Sequence, residues 1–251
     1  MTESIYKNPI MLNQAVHKSV KVSRLKNFKF AQDMNSVLVS GGEFREAAKY
    51  FPIIFVRDKN SNDILPIAIL GLRNKGNLFV DNEGKWKEGV HVPSFFRRYP
   101  FILADNENEE GAYTVSVDSD YEGFDSEDGI ALFDEEGKQT KELDNIIEFL
   151  KGYQANSLLT QEFIKKIDEF GLLKEFYANI TMPEGEKLGF TGMLMVNEKA
   201  LMELEDEKAL ELYRRGFLAW IYAHLYSLSN FQPLARFTID ESKENAEETA
   251  V

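Results

Sequence analysis

The spacing of apolar side chains changes halfway along the chain, and this change predicts the fold. In the first half, short runs rich in β-branched and aromatic residues are bounded by glycine, proline and asparagine, which is typical of strands. The runs predict strands at 19–22, 37–40, 53–57, 65–72, 77–81, 101–104 and 113–118. One short helix interrupts them, since Phe44, Ala47, Ala48 and Phe51 recur at helical spacing before Pro52.

The second half has mainly helical spacing. Apolar residues between 143 and 150, and again between 163 and 170, predict two amphipathic helices with a break at 152–160. Further along, the pattern predicts strands at 172–180 and 187–196, a short helix at 197–204 and a long helix at 206–228. The predicted fold class is α+β, with a largely antiparallel sheet in the N-terminal half packed by C-terminal helices.

Length and composition allow one substantial core. The chain has 251 residues, 43% of them apolar, and it shows no internal repeat or long linker. We therefore expect a single domain over residues 1–237. Residues 238–251 contain five carboxylates against one lysine, so we expect an acidic, disordered tail there.

Charge and cysteine content exclude several classes of function. The net charge of −13 argues against nucleic acid and anionic lipid as general partners, because both require a positive field. The absence of cysteine excludes disulfides, thiol nucleophiles, Fe–S clusters and cysteine-rich zinc sites. The N-terminal sequence lacks a signal-peptide pattern, so we expect a cytoplasmic protein.

The longest apolar run, residues 217–228, does not predict a membrane span. It is about two thirds of the length that a bilayer requires, and it contains His224. We interpret it as a buried helix in which His224 is a hydrogen-bonded core histidine.

The charges are unevenly distributed. Residues 7–29 contain six lysines or arginines and no acid, whereas residues 105–128 contain ten carboxylates and no base. Runs of like charge are normally solvated loops or chain ends.

The segment KWKEGVHVPSFFRRYPF, residues 85–101, is the main candidate for chemistry. It combines aromatic rings with adjacent Arg97 and Arg98 and with one of only three histidines. Arginine offers a rigid fork of N–H donors and stacks on ring faces, so the mixture suits a pocket for an anionic or planar group. An alternative stays open, in which the rings are core and the arginines are solvated or paired with carboxylates.

Catalytic and metal-binding motifs give little support for an enzyme. His17, His91 and His224 lie far apart, without the spacing that places two metal ligands on one helix face or strand edge. No nucleophile elbow, dinucleotide fingerprint or phosphate loop is present. We therefore expect no metal and no cofactor.

The order of segments resembles the SapC-like proteins, a family named for its association with bacterial surface-layer protein loci. The matching pieces are spread along nearly the whole chain and include LNQAVHKSVKV, GGEFREAAKYFPIIFV, LPIAILGLRNKGNLFVDNEGKW, VPSFFRRYPFIL, ALFDEEGKQTKELDNIIEFL, GMLMVNEKALMEL and GFLAWIYAHLYSLSNF. Only the tail after Phe237 and the acidic insertion at 106–111 lie outside the pattern.

The resemblance implies a set of candidate site residues but no catalytic ones. Long charged side chains at family-like positions are hard to explain by packing alone, because such groups are rarely buried without a partner. The ligand-binding candidates are Arg97, Arg98, Trp86, His17, Glu43, Tyr99 and His91. An internal pair of Arg97 or Arg98 with Glu43 or Asp118 is the alternative, and it would bind nothing.

The resemblance also implies the function that we expect. It is that of a cytoplasmic, non-enzymatic accessory or binding protein for surface-layer protein production or transport. Its partner would be a protein or peptide, such as a surface-layer protein or its export machinery. The alternative is an enzyme that modifies a peptide or small molecule, with or without the assistance of a metal, using His17 or His91 with Glu43 or Asp118.

Overall fold

The computed structural model describes residues 5–74, 76–105, 113–124, 127–181 and 187–239. The acidic insertion at 106–111 and nearly all of the expected tail, residues 240–251, lie outside these ranges.

Within these ranges, ten strands form three antiparallel sheets, which confirms the predicted sheet type. The largest sheet has the order β3-β5-β4-β10-β9, and the smaller ones have the orders β1-β7-β6 and β2-β8. The strands are β1 Pro9–Met11, β2 Lys21–Val22, β3 Ser36–Leu38, β4 Ile53–Arg57, β5 Ile64–Ile69, β6 Phe101–Asp105, β7 Tyr113–Asp118, β8 Ile130–Ala131, β9 Leu173–Thr181 and β10 Lys187–Val196.

In the part of the chain that the structure describes, α-helices accompany the sheets, and the longer ones follow residue 140, as the sequence predicts. They are α1 Gln14–His17, α2 Phe44–Ala47, α3 Ser94–Arg97, α4 Lys141–Glu169, α5 Glu198–Met202, α6 Asp206–Arg214 and α7 Phe217–Ser227, and residues 231–239 are helical as well. Within the described ranges, no helix is long and apolar enough to span a membrane.

One face of the large sheet packs against α4 and α7. Phe55 on β4 meets the rings of Phe163 and His224, and Trp220 packs against Phe163. His224 is fully buried: its Nε2 accepts the Val196 N–H at 3.1 Å, and its Nδ1 donates to the Ile53 carbonyl at 2.8 Å. The interpretation of His224 as a hydrogen-bonded core histidine is therefore confirmed.

The break predicted at 152–160 is wrong, because α4 is one continuous helix of 29 residues. Its first half buries Leu143 and Leu150 in a small cluster beneath the minor sheets, and its second half buries Phe163 in the main core. The polar stretch between them contacts the segment before α2, where Thr160 Oγ1 accepts the Gly41 N–H at 2.9 Å. Tertiary contacts therefore hold a stretch whose sequence favours a break.

The predicted single helix at 206–228 is also wrong. It is divided into α6 and α7 at Gly216, whose φ of 75° lies in the left-handed region that ends many helices.

The strand predicted at 77–81 does not form either. Asn77 is buried, and its side chain donates to the Ala31 carbonyl and accepts the Phe79 N–H, which replaces ladder hydrogen bonds. A turn around Gly84 follows, and a single bridge joins Val80 to Trp86.

Candidate functional site

Residues 93–100 form a tight turn that directs three consecutive side chains into different environments. Helix α3 begins directly after Pro93, a residue whose fixed φ suits a helix start. The chain then bonds back on itself from the Phe101 N–H to the Arg98 carbonyl at 2.7 Å and enters β6. As a result Arg97 is exposed, Arg98 is half-buried and Tyr99 is buried.

The guanidinium of Arg98 is enclosed by three aromatic rings. Its Cζ lies 4.5 Å from the ring centre of Phe95, 4.8 Å from that of Tyr153 and 5.6 Å from that of Tyr6. Cation–π contacts of this kind are worth roughly 0.5–2 kcal/mol each, depending on desolvation. We call these three rings the Arg98 cage.

Both tyrosines of the cage are neutral at ordinary pH. Burial raises the pKa of Tyr6 to about 12, and the nearby Arg98 lowers it only in part. Burial likewise raises the pKa of Tyr153. The cage therefore holds the guanidinium without neutralising its charge.

Arg98 has no acidic partner among the residues that the structure describes. Its Nε is buried without a hydrogen bond, and no described carboxylate lies within 4.0 Å of the guanidinium. The internal pairs with Glu43 or Asp118 that the sequence allows are not formed there.

Arg97 is exposed but oriented by its neighbours. Its Nε donates to the Val92 carbonyl at 3.1 Å, and its Nη2 donates to Ser94 Oγ at 2.8 Å. The guanidinium also lies 5.2 Å from the ring centre of Phe149 on α4.

Glu43 is buried beside the start of α3. Its Oε2 accepts the Ser94 N–H at 2.8 Å, the Ser94 hydroxyl at 2.9 Å and His91 Nε2 at 3.1 Å, while Oε1 accepts the Ser40 N–H. Burial opposes ionisation of Glu43, but the hydrogen bonds from His91, Ser94 and Ser40 prevail and hold its pKa below the ordinary value of 4.5. An ionised carboxylate therefore joins the segment before α2 to α3.

Asp118, at the end of β7, is the second buried carboxylate near the turn. It accepts the backbone N–H groups of Lys7, Asn8 and Asp120 and the hydroxyl of Tyr99. Burial raises the pKa of Asp118, but the hydrogen bonds from Lys7, Asn8, Asp120 and Tyr99 outweigh it, so that the pKa is lowered overall. Burial, with Asp118 next to it, raises the pKa of Tyr99.

The structure brings some of the predicted site residues together and leaves two apart. Arg97, Arg98 and Tyr99 share the turn, and Glu43 with His91 supports it through Ser94.

Trp86 and His17 have local roles instead. Trp86 is buried among Phe28, Phe79 and Phe96, and its indole N–H donates to the Val90 carbonyl at 3.3 Å. His17 is buried at the end of α1, and its Nδ1 lies 2.9 Å from both the Asn13 nitrogen and the Asn13 carbonyl oxygen.

Sequence reasoning missed Tyr6 and Tyr153. Each is an aromatic residue in a mostly polar stretch, and the two lie 92 and 55 positions from Arg98 in the sequence. No local signal connects them to the arginine. Over the described ranges, no three histidines, aspartates or glutamates cluster so as to hold a metal ion.

Comparisons with known proteins give one informative result. No curated protein and no solved structure matches the chain. The SapC family model matches residues 12–234, which include α3, the Arg98 cage residues Phe95 and Tyr153, and both buried carboxylates. This match covers most of the sequence, and the chain belongs to the SapC family.

Proposed function

We propose that this protein is a cytoplasmic, non-enzymatic binding protein that assists the production or transport of a surface-layer protein. We further propose that it recognises a protein or peptide partner at the surface formed by Arg97 and Arg98. Family membership supports the association with surface-layer proteins, and the geometry around Arg98 supports recognition.

The observation that carries the proposal is the unpaired state of Arg98. The chain has a net charge of −13, so an arginine that pairs with no acid in the described ranges requires an explanation. The two buried carboxylates nearby, Glu43 and Asp118, are saturated by other donors. The hydrogen bonds that these carboxylates accept position the turn, and neither carboxylate pairs with the guanidinium.

An arginine of this kind suits a carboxylate or carbonyl group of a partner. The planar fork offers parallel N–H donors, which bind a carboxylate in bidentate fashion. The Arg98 cage restricts the orientation of the fork before binding, which lowers the entropy cost of association. Arg97 lies next to it on the exposed side and adds positive charge.

The test is quantitative capture from lysate of the source organism, with wild-type protein and three variants as bait. Arg98→Ala removes the charge, and Arg98→Lys keeps the charge but removes the fork. We expect both to lose partners that the wild type retains, and we expect these partners to include the surface-layer protein or its export components. Lys138→Ala is the matched control, because Lys138 is exposed and pairs only with Glu136 among the described residues. Capture that is equal for all four baits would exclude Arg98 as the residue that recognises the partner.

The enzymatic alternative is favoured by one contact, the pair of His91 with Glu43. Hydrogen bonds from Ser40 and Ser94 already occupy that carboxylate, so it is poorly placed to exchange protons with a substrate. Metal analysis separates the two functions. Stoichiometric iron or zinc that is lost in His17→Ala or His91→Ala would favour the enzyme over the binding protein.

A further inference from the structure

A basic cleft lies over the outer face of the large sheet. Tyr99, which contacts Tyr6, lies in its wall, but Arg98 and the three rings of the Arg98 cage do not line it. Its volume is about 1050 Å³, and it is bounded by the sheet, by the segment 23–35 and by the loop at 120–123. Leu38, Val56, Leu65 and Ile67 form its floor. These side chains alternate with core residues of the same strands, as the period of two in a strand requires.

Six cations line this cleft, and four of them belong to the basic stretch at 7–29. They are Lys7, Arg24, Lys26, Lys29, Arg57 and Lys59. Four acids also line it: Asp33, Asp58, Asp120 and Glu122. The carboxylate of Asp58 forms its hydrogen bonds within its own loop, where it accepts the N–H groups of Asn60 and Ser61.

None of these six cations forms an ion pair with any residue in the described part of the chain. Cations elsewhere do pair with glutamates: Lys49, Lys138, Lys151, Lys165, Lys166, Lys199, Lys208 and Arg215. In a chain with 42 acids, six cations around one cleft that form no ion pair with a described residue indicate a site for an anionic ligand, although Arg57 also donates to the Asn62 carbonyl.

The edge of the sheet indicates what kind of ligand the cleft binds. Strand β3 is the outermost strand, and its Val37 is opposite Ala68 on β5. The hydrogen bonds from Val39 to Pro66 and from Leu70 to Asn35 place alternate residues of β3 toward β5. Ser36 and Leu38 therefore direct their backbone N–H and C=O groups to the open edge, and both residues also line the cleft.

We propose that this cleft binds an extended acidic segment of a partner protein, which adds to β3 as a further strand. The segment's backbone would bond to Ser36 and Leu38, and alternate side chains would point into the cleft. Carboxylates among them meet the six cations, and apolar side chains meet the floor. The backbone groups of the edge match a peptide, whereas an acyl chain would leave them unused.

This site is additional to the Arg97–Arg98 surface, and its occupation does not depend on Arg98. The two can be separated by experiment because Arg98 does not line the cleft and none of the six cations belongs to the Arg98 cage.

The probe is a fluorescent peptide of about eight residues that repeats glutamate, threonine, leucine and threonine. In the matched peptide, lysine replaces glutamate. Fluorescence anisotropy should show the glutamate peptide binding at least about tenfold more tightly than the lysine peptide, with the difference shrinking at high salt. Equal binding of the two peptides, or no binding of either, overturns the proposal.

Charge reversal localises the binding. Arg24→Glu, Lys26→Glu and Lys29→Glu together should weaken the glutamate peptide by about tenfold or more. Lys138→Glu, Lys151→Glu and Lys165→Glu together make the same change in net charge at exposed sites outside the cleft, and they should leave the affinity unchanged. If the first triple variant fails to fold, the neutral double variant Arg24→Gln with Lys29→Gln replaces it, and its matched control is Lys138→Gln with Lys151→Gln, which makes the same change in net charge outside the cleft. If both sets of variants lost affinity for the glutamate peptide equally, binding would depend only on net charge, which would contradict a site in the cleft.

Two further readouts test the mode of binding. N-methylation of one alternate set of backbone nitrogens in the peptide should abolish binding, while N-methylation of the other set should not. Arg98→Ala should bind the peptide as the wild type does. Three results would each contradict the proposal. The peptide could bind equally well with either set of nitrogens methylated, or its binding could require Arg98. Alternatively, anionic phospholipid vesicles could bind in the cleft in place of the peptide.

Discussion

Glu43 accepts both the backbone N–H and the hydroxyl of Ser94, at 2.8 and 2.9 Å, and so joins two segments 51 positions apart. The same Ser94 hydroxyl accepts a hydrogen bond from Arg97. A buried carboxylate therefore fixes the start of α3, and α3 in turn fixes the two arginines. The position of the recognition surface depends on a residue that does not belong to that surface.

Replacing Glu43 with glutamine should destabilise the protein by about 2–3 kcal/mol, because an amide cannot accept all of these hydrogen bonds in a buried site. Denaturant unfolding at neutral pH measures the change. Glu136→Gln is the control, since Glu136 is exposed and pairs only with exposed Lys138 among the described residues, and we expect it to match the wild type.

The lowered pKa of Glu43 gives this prediction a pH dependence. A carboxylate with a pKa lower in the folded than in the unfolded state contributes stability above the unfolded value of 4.5, and that stability is lost as the pH falls through the folded value. Unfolding free energies should therefore decrease less below pH 4.5 in Glu43→Gln than in the wild type. Parallel acid limbs for the two proteins would show that Glu43 is not ionised in the fold.

His224 predicts a separate loss of stability at milder acidity. Burial lowers the pKa of His224 from 6.5 to about 4, although its hydrogen bond to the Ile53 carbonyl acts in the opposite direction. The unfolded chain therefore binds a proton at a higher pH than the folded chain does. Stability should fall as the pH decreases from 6.5 to about 4, by roughly 3 kcal/mol over that interval.

Two measurements check the His224 prediction. The imidazole resonances of His224 should show no titration by NMR between pH 7 and about 5. His224→Gln should be less stable at neutral pH, yet its unfolding free energy should change less over the acidic interval. A midpoint near 6.5 in the folded protein would contradict the buried, neutral state.

The large sheet and its antiparallel type follow from strand-like runs that are local in sequence, and so does the buried role of His224 on an apolar helix. The continuity of α4 does not follow from local sequence. Residues 152–160 are held in the helix by contacts with Gly41 and its neighbours, which lie over 100 positions away. The same limit applies to the site. The candidate arginines are adjacent and rich in neighbouring rings, but Tyr6 and Tyr153 reach Arg98 only through the tertiary fold.

Two glycines should respond oppositely to alanine. A Cβ at Gly41 would lie inside van der Waals contact of the Trp220 ring, which is rigid and packed against Phe163, so Gly41→Ala should cost about 1–3 kcal/mol. A Cβ at Gly152 meets nothing within 4 Å, and Gly152 lies within α4, so Gly152→Ala should stabilise the protein by about 0.5–1 kcal/mol. Thermal unfolding of both variants measures the difference. A destabilising Gly152→Ala would argue against an uninterrupted α4.

The Arg98 cage can be tested without changing the arginine. Tyr153→Leu removes one ring and its cation–π contact, whereas Tyr153→Phe keeps the ring and removes only the hydroxyl. We expect Tyr153→Leu to weaken the binding of any partner captured through Arg98 by about fivefold to tenfold, because the fork loses its fixed orientation and part of its stabilisation. Tyr153→Phe should bind within about twofold of the wild type, since the face of the ring is what contacts the cation. Dissociation constants for the captured partner decide the matter, and equal weakening by both variants would assign the effect to the hydroxyl and not to the cage.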